Sequence, residues 1–310
     1  MKPGGSTGVG RRLAFGALIL LPILWGSTFF SIKRVVATIP VSDFLAVRFF
    51  LASVVLVVVF HRAIPRLTWR TWRHGLILGA AWAAAQLLQT NGLARTSASI
   101  SGFVTGLYVV FTPILGLIVF RARVLRWVWG AVGLATIGLA ALTIHPEAGT
   151  VIGLGETLTI GCAVVYAIHI VLLGRWSTAE EAAGLTVVQT LSMTAVFVIF
   201  ALPGGIQLPT TAVNWVWMVY LAVFAGAITL LLQTWAQAHI EPSTAAVLMC
   251  AEPLWATVFA IWFGGEHLTW LFVGGAIAIL GAMYLVIRPP GRRARPAVDG
   301  GDLQGFDHRA

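Results

Sequence analysis

Residues Leu13 to Ile32 read LAFGALILLPILWGSTFFSI, an uncharged stretch bounded by Arg11-Arg12 before it and Lys33-Arg34 after it. A bilayer core about 30 Å thick is crossed by a helix of about 20 predominantly apolar residues, which is the length of this run. A helix at the surface of a soluble domain would keep one polar face, and this stretch has none. The run is read as a membrane span. An arginine pair ahead of an apolar stretch also has the outline of a secretory or twin-arginine signal. No small-residue cleavage site follows Phe30, and further apolar runs come after it, so the segment is expected to be retained.

Working outward, the same pattern recurs at Phe44 to Phe60, Gly75 to Leu93, Ala98 to Phe120 and Trp127 to Ile144. Five more runs follow: Gly153 to Leu173, Ala182 to Leu202, Val213 to Ala236, Thr244 to Phe263 and Leu268 to Ile287. Barrel strands alternate over about ten residues, whereas these runs are long and continuously apolar, so they predict helices. The composition agrees. The chain has 310 residues, is 58% hydrophobic and only 10% charged, against roughly 25% charged in soluble domains. Too few charges remain to cover a globular surface. The expected fold class is an all-α integral membrane protein of ten transmembrane helices.

A net charge of +9 raises the question of nucleic acid, but the arginines fall in short clusters between apolar runs and do not share one polar face. They serve instead as orientation signals, because loops rich in Lys and Arg stay on the cytoplasmic side. With the N-terminus inside, all of the 20 Lys and Arg except Lys33, Arg34, Arg95 and the intra-span Arg48 fall on cytoplasmic segments. Both termini are therefore expected in the cytoplasm, with the chain in the cytoplasmic membrane. Arg66, Arg70 and Arg73 interleave with Trp69 and Trp72, as aromatic and basic residues do where bases stack, but the same residues anchor a span at the headgroup interface. No nucleic-acid partner is expected. Residues 1–12 read as a short cytoplasmic tail and 289–310, rich in Pro, Gly, Arg and Asp, as a disordered one. Cys162 and Cys250 sit inside apolar runs and form no disulfide framework or metal spacing.

A shift of 144 residues lays Leu87-Leu88-Gln89-Thr90 over Leu231-Leu232-Gln233-Thr234, Ser99 over Ser243 and Gly130 over Gly274. The shared order of features implies two related halves, 13–144 and 153–287. Five helices is an odd number, so the second half must enter from the opposite side. That makes two inverted five-helix repeats with a site between them near the midplane.

The sequence also resembles a known family, the EamA-type permeases of the ten-helix drug/metabolite transporter superfamily. The resemblance lies in Leu24-Trp25-Gly26-Ser27-Thr28-Phe29-Phe30-Ser31-Ile32-Lys33 of the first run and Arg48-Phe49 of the second. Ser97-Ala98-Ser99, Glu252-Pro253 and Gly265-Glu266 extend it across the chain. It implies export or exchange of small metabolites, amino acids or amphipathic drugs without ATP hydrolysis. One departure stands out. The first-half counterpart of Glu252-Pro253 is Tyr108-Val109, where the family commonly has a proline, and Pro113 follows four residues later. A kink is expected one turn further along.

Polar groups inside the spans supply the candidate site, since a charge at the bilayer centre costs about 2.5 to 3.5 kcal/mol on insertion scales and so faces a cavity or a partner. Glu252 lies near the middle of its run, where it either binds a proton or a cationic group or holds backbone groups freed by Pro253. Arg48 either meets a buried acid or an anionic solute, or snorkels to the outer headgroups. His169 either relays protons or donates to a neighbouring helix. Trp25, Ser27, Gln86, Gln89, Asn91, Gln233 and Trp235 offer the aromatic walls and amides that a small-solute pocket needs, or pack helices together. Gly102 and Gly106 permit close helix approach. Glu156, Glu266 and Lys33 are expected at the interface.

The expected function is a secondary transporter moving a small solute through the bilayer, as exporter or exchanger, with protons as the candidate coupling ion. The alternatives are an integral membrane enzyme or a channel. The seven histidines are scattered without a metal-ligand motif, and no Gly-rich loop ends in Gly-Lys-Ser/Thr. No catalytic residues and no cofactor are therefore assigned.

Overall fold

The computed structural model describes residues 8–96, 98–121, 124–143, 153–264 and 270–288. Ser97, the Gly265-Glu266 motif, residues 1–7 of the N-terminal tail and the tail 289–310 lie outside the described residues, as does the side chain of Lys33. Among the described residues every long element is helical and no strand occurs. In order they are α1 (Gly8–Gly26), α2 (Thr28–Val36), α3 (Val41–Phe60), α4 (Trp69–Leu93), α5 (Ala98–Gly106), α6 (Tyr108–Phe120) and α7 (Arg126–Thr143). They continue as α8 (Leu154–Trp176), α9 (Ala182–Ala201), α10 (Ala212–Ala222), α11 (Thr229–Gln237), α12 (Pro242–Met249), α13 (Glu252–Gly264) and α14 (Trp270–Ile287). A π-helical turn, Val223–Ile228, joins α10 to α11.

Among the described residues six helical stretches are long and apolar enough to cross a membrane: Gly8–Gly26, Val41–Phe60, Ser101–Phe120, Leu154–Trp176, Ala182–Gly204 and Ala212–Gln237. Their outward faces carry large apolar side chains that no protein covers, among them Val58, Ile118, Phe200 and Val216, as does α7 at Ile137. In water so much exposed apolar surface would drive aggregation, whereas in lipid it is the solvated face.

Helix starts follow local chemistry. Thr68 caps α4 by accepting from the Thr71 amide at 3.2 Å, which draws Trp69, Arg70, Trp72 and Arg73 into the first turns of the helix. Thr211 caps α10 in the same way through Asn214 at 3.2 Å, and Pro242 opens α12 where its missing N–H is no loss.

Three of the apolar runs are interrupted where the sequence pattern predicts continuous helices. The first breaks at Ser27, where the Ser27 and Thr28 hydroxyls turn back to the Leu24 and Trp25 carbonyls, each at 2.7 Å. The second break is at Leu107, between α5 and α6. The expected kink one turn beyond Val109, at Pro113, is corrected by this, because Pro113 lies inside α6. A proline ring excludes the carbonyl four residues before it, here Val109, so the disturbance falls on the N-terminal side. The third break, at Cys250-Ala251, follows the same rule, since Pro253 excludes the carbonyl of Met249.

Close packing relies on small residues, since lipid supplies no hydrophobic drive between helices. Helix α4 lies between α8 and α9, α7 runs along α14, and α1 packs on α11 and α13. A Cβ at Gly26 would come within 2.6 Å of Trp255 Cβ and 3.0 Å of the Glu252 carbonyl, and one at Gly138 would lie 2.8 Å from the Gly275 carbonyl. Gly102 and Gly106 do bring α5 close to its neighbours, facing Pro253 at 3.6 Å and Leu139 at 3.0 Å.

Candidate functional site

The broken helices meet. Gly26, the last residue of α1, abuts Glu252 and Trp255 at the start of α13, and Gly102 of α5 abuts Pro253. The discontinuities at Ser27, Leu107 and Cys250-Ala251 therefore converge on one region, where the regular helical course of the chain is interrupted. A cavity opens there, with about 50 Å³ of space for water centres, enough for several waters. Its walls come from α1, α2, α3, α4, α5, α6, α8, the π turn, α11, α12 and α13.

Six charged, aromatic or amide residues singled out from the sequence line this cavity together: Trp25, Arg48, Gln86, Gln89, Gln233 and Glu252. Glu252 is half-buried at the first turn of α13, where unpaired helix amides favour a negative charge. Arg48 is 4% exposed and does not snorkel. Its Nε donates to the Leu221 carbonyl at 3.2 Å and its Nη2 to Ala225 at 3.1 Å, while the guanidinium lies 5.0 Å from the centre of the Phe49 ring. Those carbonyls belong to the α10 and π-turn backbone, where the widened turn leaves oxygen atoms without regular helical donors. No ion pair forms among the described residues, so Arg48 and Glu252 stand in one cavity without neutralising each other.

The amides are organised by a tyrosine. Gln86 Nε2 donates to the Tyr166 hydroxyl in a short bond and to Gln89 Oε1 at 3.0 Å, and the Tyr166 hydroxyl donates to the same Gln89 oxygen at 3.2 Å. Gln89 Nε2 reaches Thr105 Oγ1 at 3.4 Å. Gln89 thus has its carbonyl committed and its amide loosely held. Gln233 is 1% exposed, and its Oε1 has no hydrogen-bond partner.

Trp82 forms an aromatic wall, 5.9 Å from Trp25 and edge-on to Tyr166 at 5.1 Å. Tyr166, Trp82, Thr105 and Tyr108 escaped the search of the sequence for charged and amide groups. Tyr108 had one available signal: the 144-residue shift of the sequence lays it over Glu252, and both line the cavity.

The other candidates lie elsewhere. Ser27 sits at the first break, its hydroxyl donating to Leu24 and accepting from Tyr220 at 2.6 Å. His169 is fully buried behind Trp82, bonded through Nε2 to Gln189 Oε1 at 3.0 Å. Trp235 lies tilted against His239, with ring centroids 4.7 Å apart. Asn91 bonds back to Leu87 and holds Arg95 at the end of α4. Glu156 caps α8 through the Gly153 amide at 2.9 Å and accepts from Thr96. Asp43, which drew no notice in the sequence, is buried at the start of α3 and accepts from the Gln207 amide at 3.0 Å.

Comparison with known proteins agrees with this architecture. The chain is 28% identical over 288 residues to an uncharacterized transporter of Archaeoglobus fulgidus, covering 92% of this chain and 89% of that protein. A solved crystal structure shares the fold, with a TM-score of 0.75 at 16% identity over 91% of this chain and 97% of the other. The profile of the EamA-like transporter family matches twice, over residues 12–144 and 153–288. The chain belongs to the EamA-like transporter family.

Proposed function

We propose that the protein is a secondary transporter that moves a small metabolite, amino acid or drug-like solute across the cytoplasmic membrane, as exporter or exchanger, with Glu252 taking part in proton coupling or recognition. The observation that carries this is the convergence of three helix breaks on a cavity that holds Arg48 and Glu252 unpaired. Broken helices at a membrane midplane offer backbone ends and a polar cavity to a solute without exposing them to lipid. Arg48 keeps a fixed positive charge for an anionic group, and Glu252 takes a cationic group or a proton. Trp25 and Trp82 give apolar walls for the solute body.

The transporter is built from ten spans. α1 with α2, α5 with α6, α10 with α11, and α12 with α13 each make one span, and α3, α4, α7, α8, α9 and α14 make the rest. Two inverted repeats account for the pairing. The breaks at Leu107 and at Ala251 are related by the same shift of 144 residues as Gln89 and Gln233 or Tyr108 and Glu252. The two matches of the family profile support halves at 13–144 and 153–287.

The test begins with a panel of amino acids, small metabolites and amphipathic drugs, screened for thermal stabilisation of the purified protein. Compounds that stabilise it go into counterflow in liposomes. Saturable counterflow, lost in Glu252→Gln combined with Arg48→Met, is the expected result. Turnover of a compound into product, or flux that never saturates, would overturn the transporter in favour of an enzyme or a channel.

A further inference from the structure

The cavity is lopsided. Its lining takes the C-terminal part of α4 (Trp82, Gln86, Gln89, Thr90, Leu93), the N-terminal part of α3 (Arg48, Phe49) and α2 (Thr28, Ile32). The opposite half of the bundle is sealed. There Gly75 packs on Val188, where a Cβ would meet Val188 Cβ at 2.6 Å, and Gly174 packs on Pro242, where it would meet Pro242 Cγ at 2.6 Å.

Inside that sealed half, among the described residues, lie buried polar side chains with one or more atoms left without a hydrogen bond. Gln237 is 0% exposed, and neither its Oε1 nor its Nε2 makes a hydrogen bond. His169, also 0% exposed, uses Nε2 on Gln189 and leaves Nδ1 bare. Ser177, the residue after α8, has an unpartnered buried hydroxyl. At their cavity end stands the bare oxygen of Gln233. The groups are joined: Gln189 of α9 receives His169 of α8 and donates to Thr234 of α11 at 3.3 Å. Gln237 follows Gln233 and Thr234 by one helical turn on the same face. Each orphaned polar group costs about 1 to 3 kcal/mol, so such a set is expensive as mere core. It is what a polar passage looks like when closed.

We infer that Gln233, His169, Gln237 and Ser177 line a second limb of the solute path, between α8–α9 and α11–α12, that is shut in this structure. This rests on the transporter reading above. The seam opens by movement of α11 and α12 away from α8, with the π turn at Val223–Ile228 as hinge, because a π turn already departs from the regular helical ladder. Opening gives the bare groups water or solute as partners. Closing strands them, and tight Gly75–Val188 and Gly174–Pro242 packing offsets the cost.

The test is independent of solute. Single variants Gln237→Cys, Ser177→Cys and Leu78→Cys are treated with N-ethylmaleimide in liposomes, with labelling read peptide by peptide to separate native Cys162 and Cys250. Leu78 is buried among leucines in the same half and serves as the closed reference. Gln237→Cys and Ser177→Cys should react about tenfold or more faster than Leu78→Cys, as the open state is sampled. A second experiment ties the seam shut. A Cβ at Gly174 lies 3.6 Å from Pro242 Cβ, within the spacing of a disulfide, so Gly174→Cys with Pro242→Cys can be oxidised across it. Oxidation should slow amide exchange in α11 and α12 and stop counterflow, and reduction should restore both. Labelling of Gln237→Cys no faster than Leu78→Cys, or full counterflow with the disulfide formed, overturns the seam and spares the transporter. Opening without counterflow of any tested solute in the wild-type chain overturns the transporter reading and leaves the opening itself supported.

Discussion

At the scale of single residues, Glu252 and Arg48 are tied to the protein in opposite ways. The Arg48 guanidinium is anchored by two backbone carbonyls at 3.1 and 3.2 Å, whereas among the described residues no hydrogen bond restrains the Glu252 carboxyl. Glu252→Gln keeps shape and is expected to insert and fold as the parent does. Reconstituted at matched density, it should lose accumulation driven by an imposed proton gradient while retaining solute exchange. A mutant with an unchanged gradient response would return Glu252 to a structural role beside Pro253. For Arg48 two terms oppose each other. Removing the charge forfeits two charge-assisted hydrogen bonds, about 1.5 to 3 kcal/mol each, and relieves a burial cost of similar size. Arg48→Met is therefore expected to shift the melting temperature by only a few degrees, yet weaken solute binding about tenfold or more. A large melting drop with binding intact would make Arg48 a brace and nothing else. Of these two residues the sequence disclosed the depth but not the partners. Arg48 meets carbonyls 173 and 177 residues away, at a π turn that no local pattern in VFAGAI announces.

At the scale of elements, the apolar runs of the sequence coincide, over the described residues, with helical structure, because the constraint that fixes them is local: backbone polar groups in lipid must be satisfied within the segment. The interruptions were less legible. Pro253 marks its break, but Ser27 breaks a run whose only proline, Pro22, sits five residues earlier in an intact helix. The cause is tertiary, since Tyr220 of α10 donates to the Ser27 hydroxyl and Gly26 must fit against α13. Likewise Tyr166 and Trp82 could not be told from core aromatics until α4 and α8 were placed side by side. The contact at Gly26 gives a prediction of its own. A valine there would drive its side chain into Trp255 and the Ala256 amide at 2.6 and 2.8 Å, atoms of a helix that cannot yield locally. Gly26→Val should therefore push α1 from α13 and lower stability by about 1 to 3 kcal/mol, the usual range for overpacking. Gly16→Val is the control, because nothing lies within 4 Å of a Cβ there. Equal melting temperatures for the two variants would show that α1 and α13 are not pressed together as described.

At the scale of the whole molecule, the charge distribution and the lopsided cavity make one joint prediction about sidedness. Lys and Arg concentrate at the start of α1, from the end of α3 into the first turns of α4, between α6 and α7, and after α14, so reporters fused after Arg70, Arg123 and Arg295 should behave as cytoplasmic. Reporters after Pro40, Glu147 and His267 should behave as external. The cavity is lined by Arg48 and Phe49 in the half of α3 that leads to the Pro40 loop and by Trp82 to Leu93 in the half of α4 that leads to the α4–α5 turn, so this orientation turns it outward. Cysteine at Gln89 or Trp25 should then react with a membrane-impermeant thiol reagent added from outside, and an adequate concentration of a transported solute should slow that reaction. Cysteine at Gln237 belongs to the sealed half and should be reached from the cytoplasmic face, in inside-out vesicles. The two observables are independent, because reporters read only the loops and the reagent reads only the pathway. An external signal from the Arg70 fusion would invert the orientation without touching the cavity. Gln89→Cys reacting only from the side on which Arg70 reports would break the link between topology and cavity, and with it the assignment of this structure to the outward-facing state.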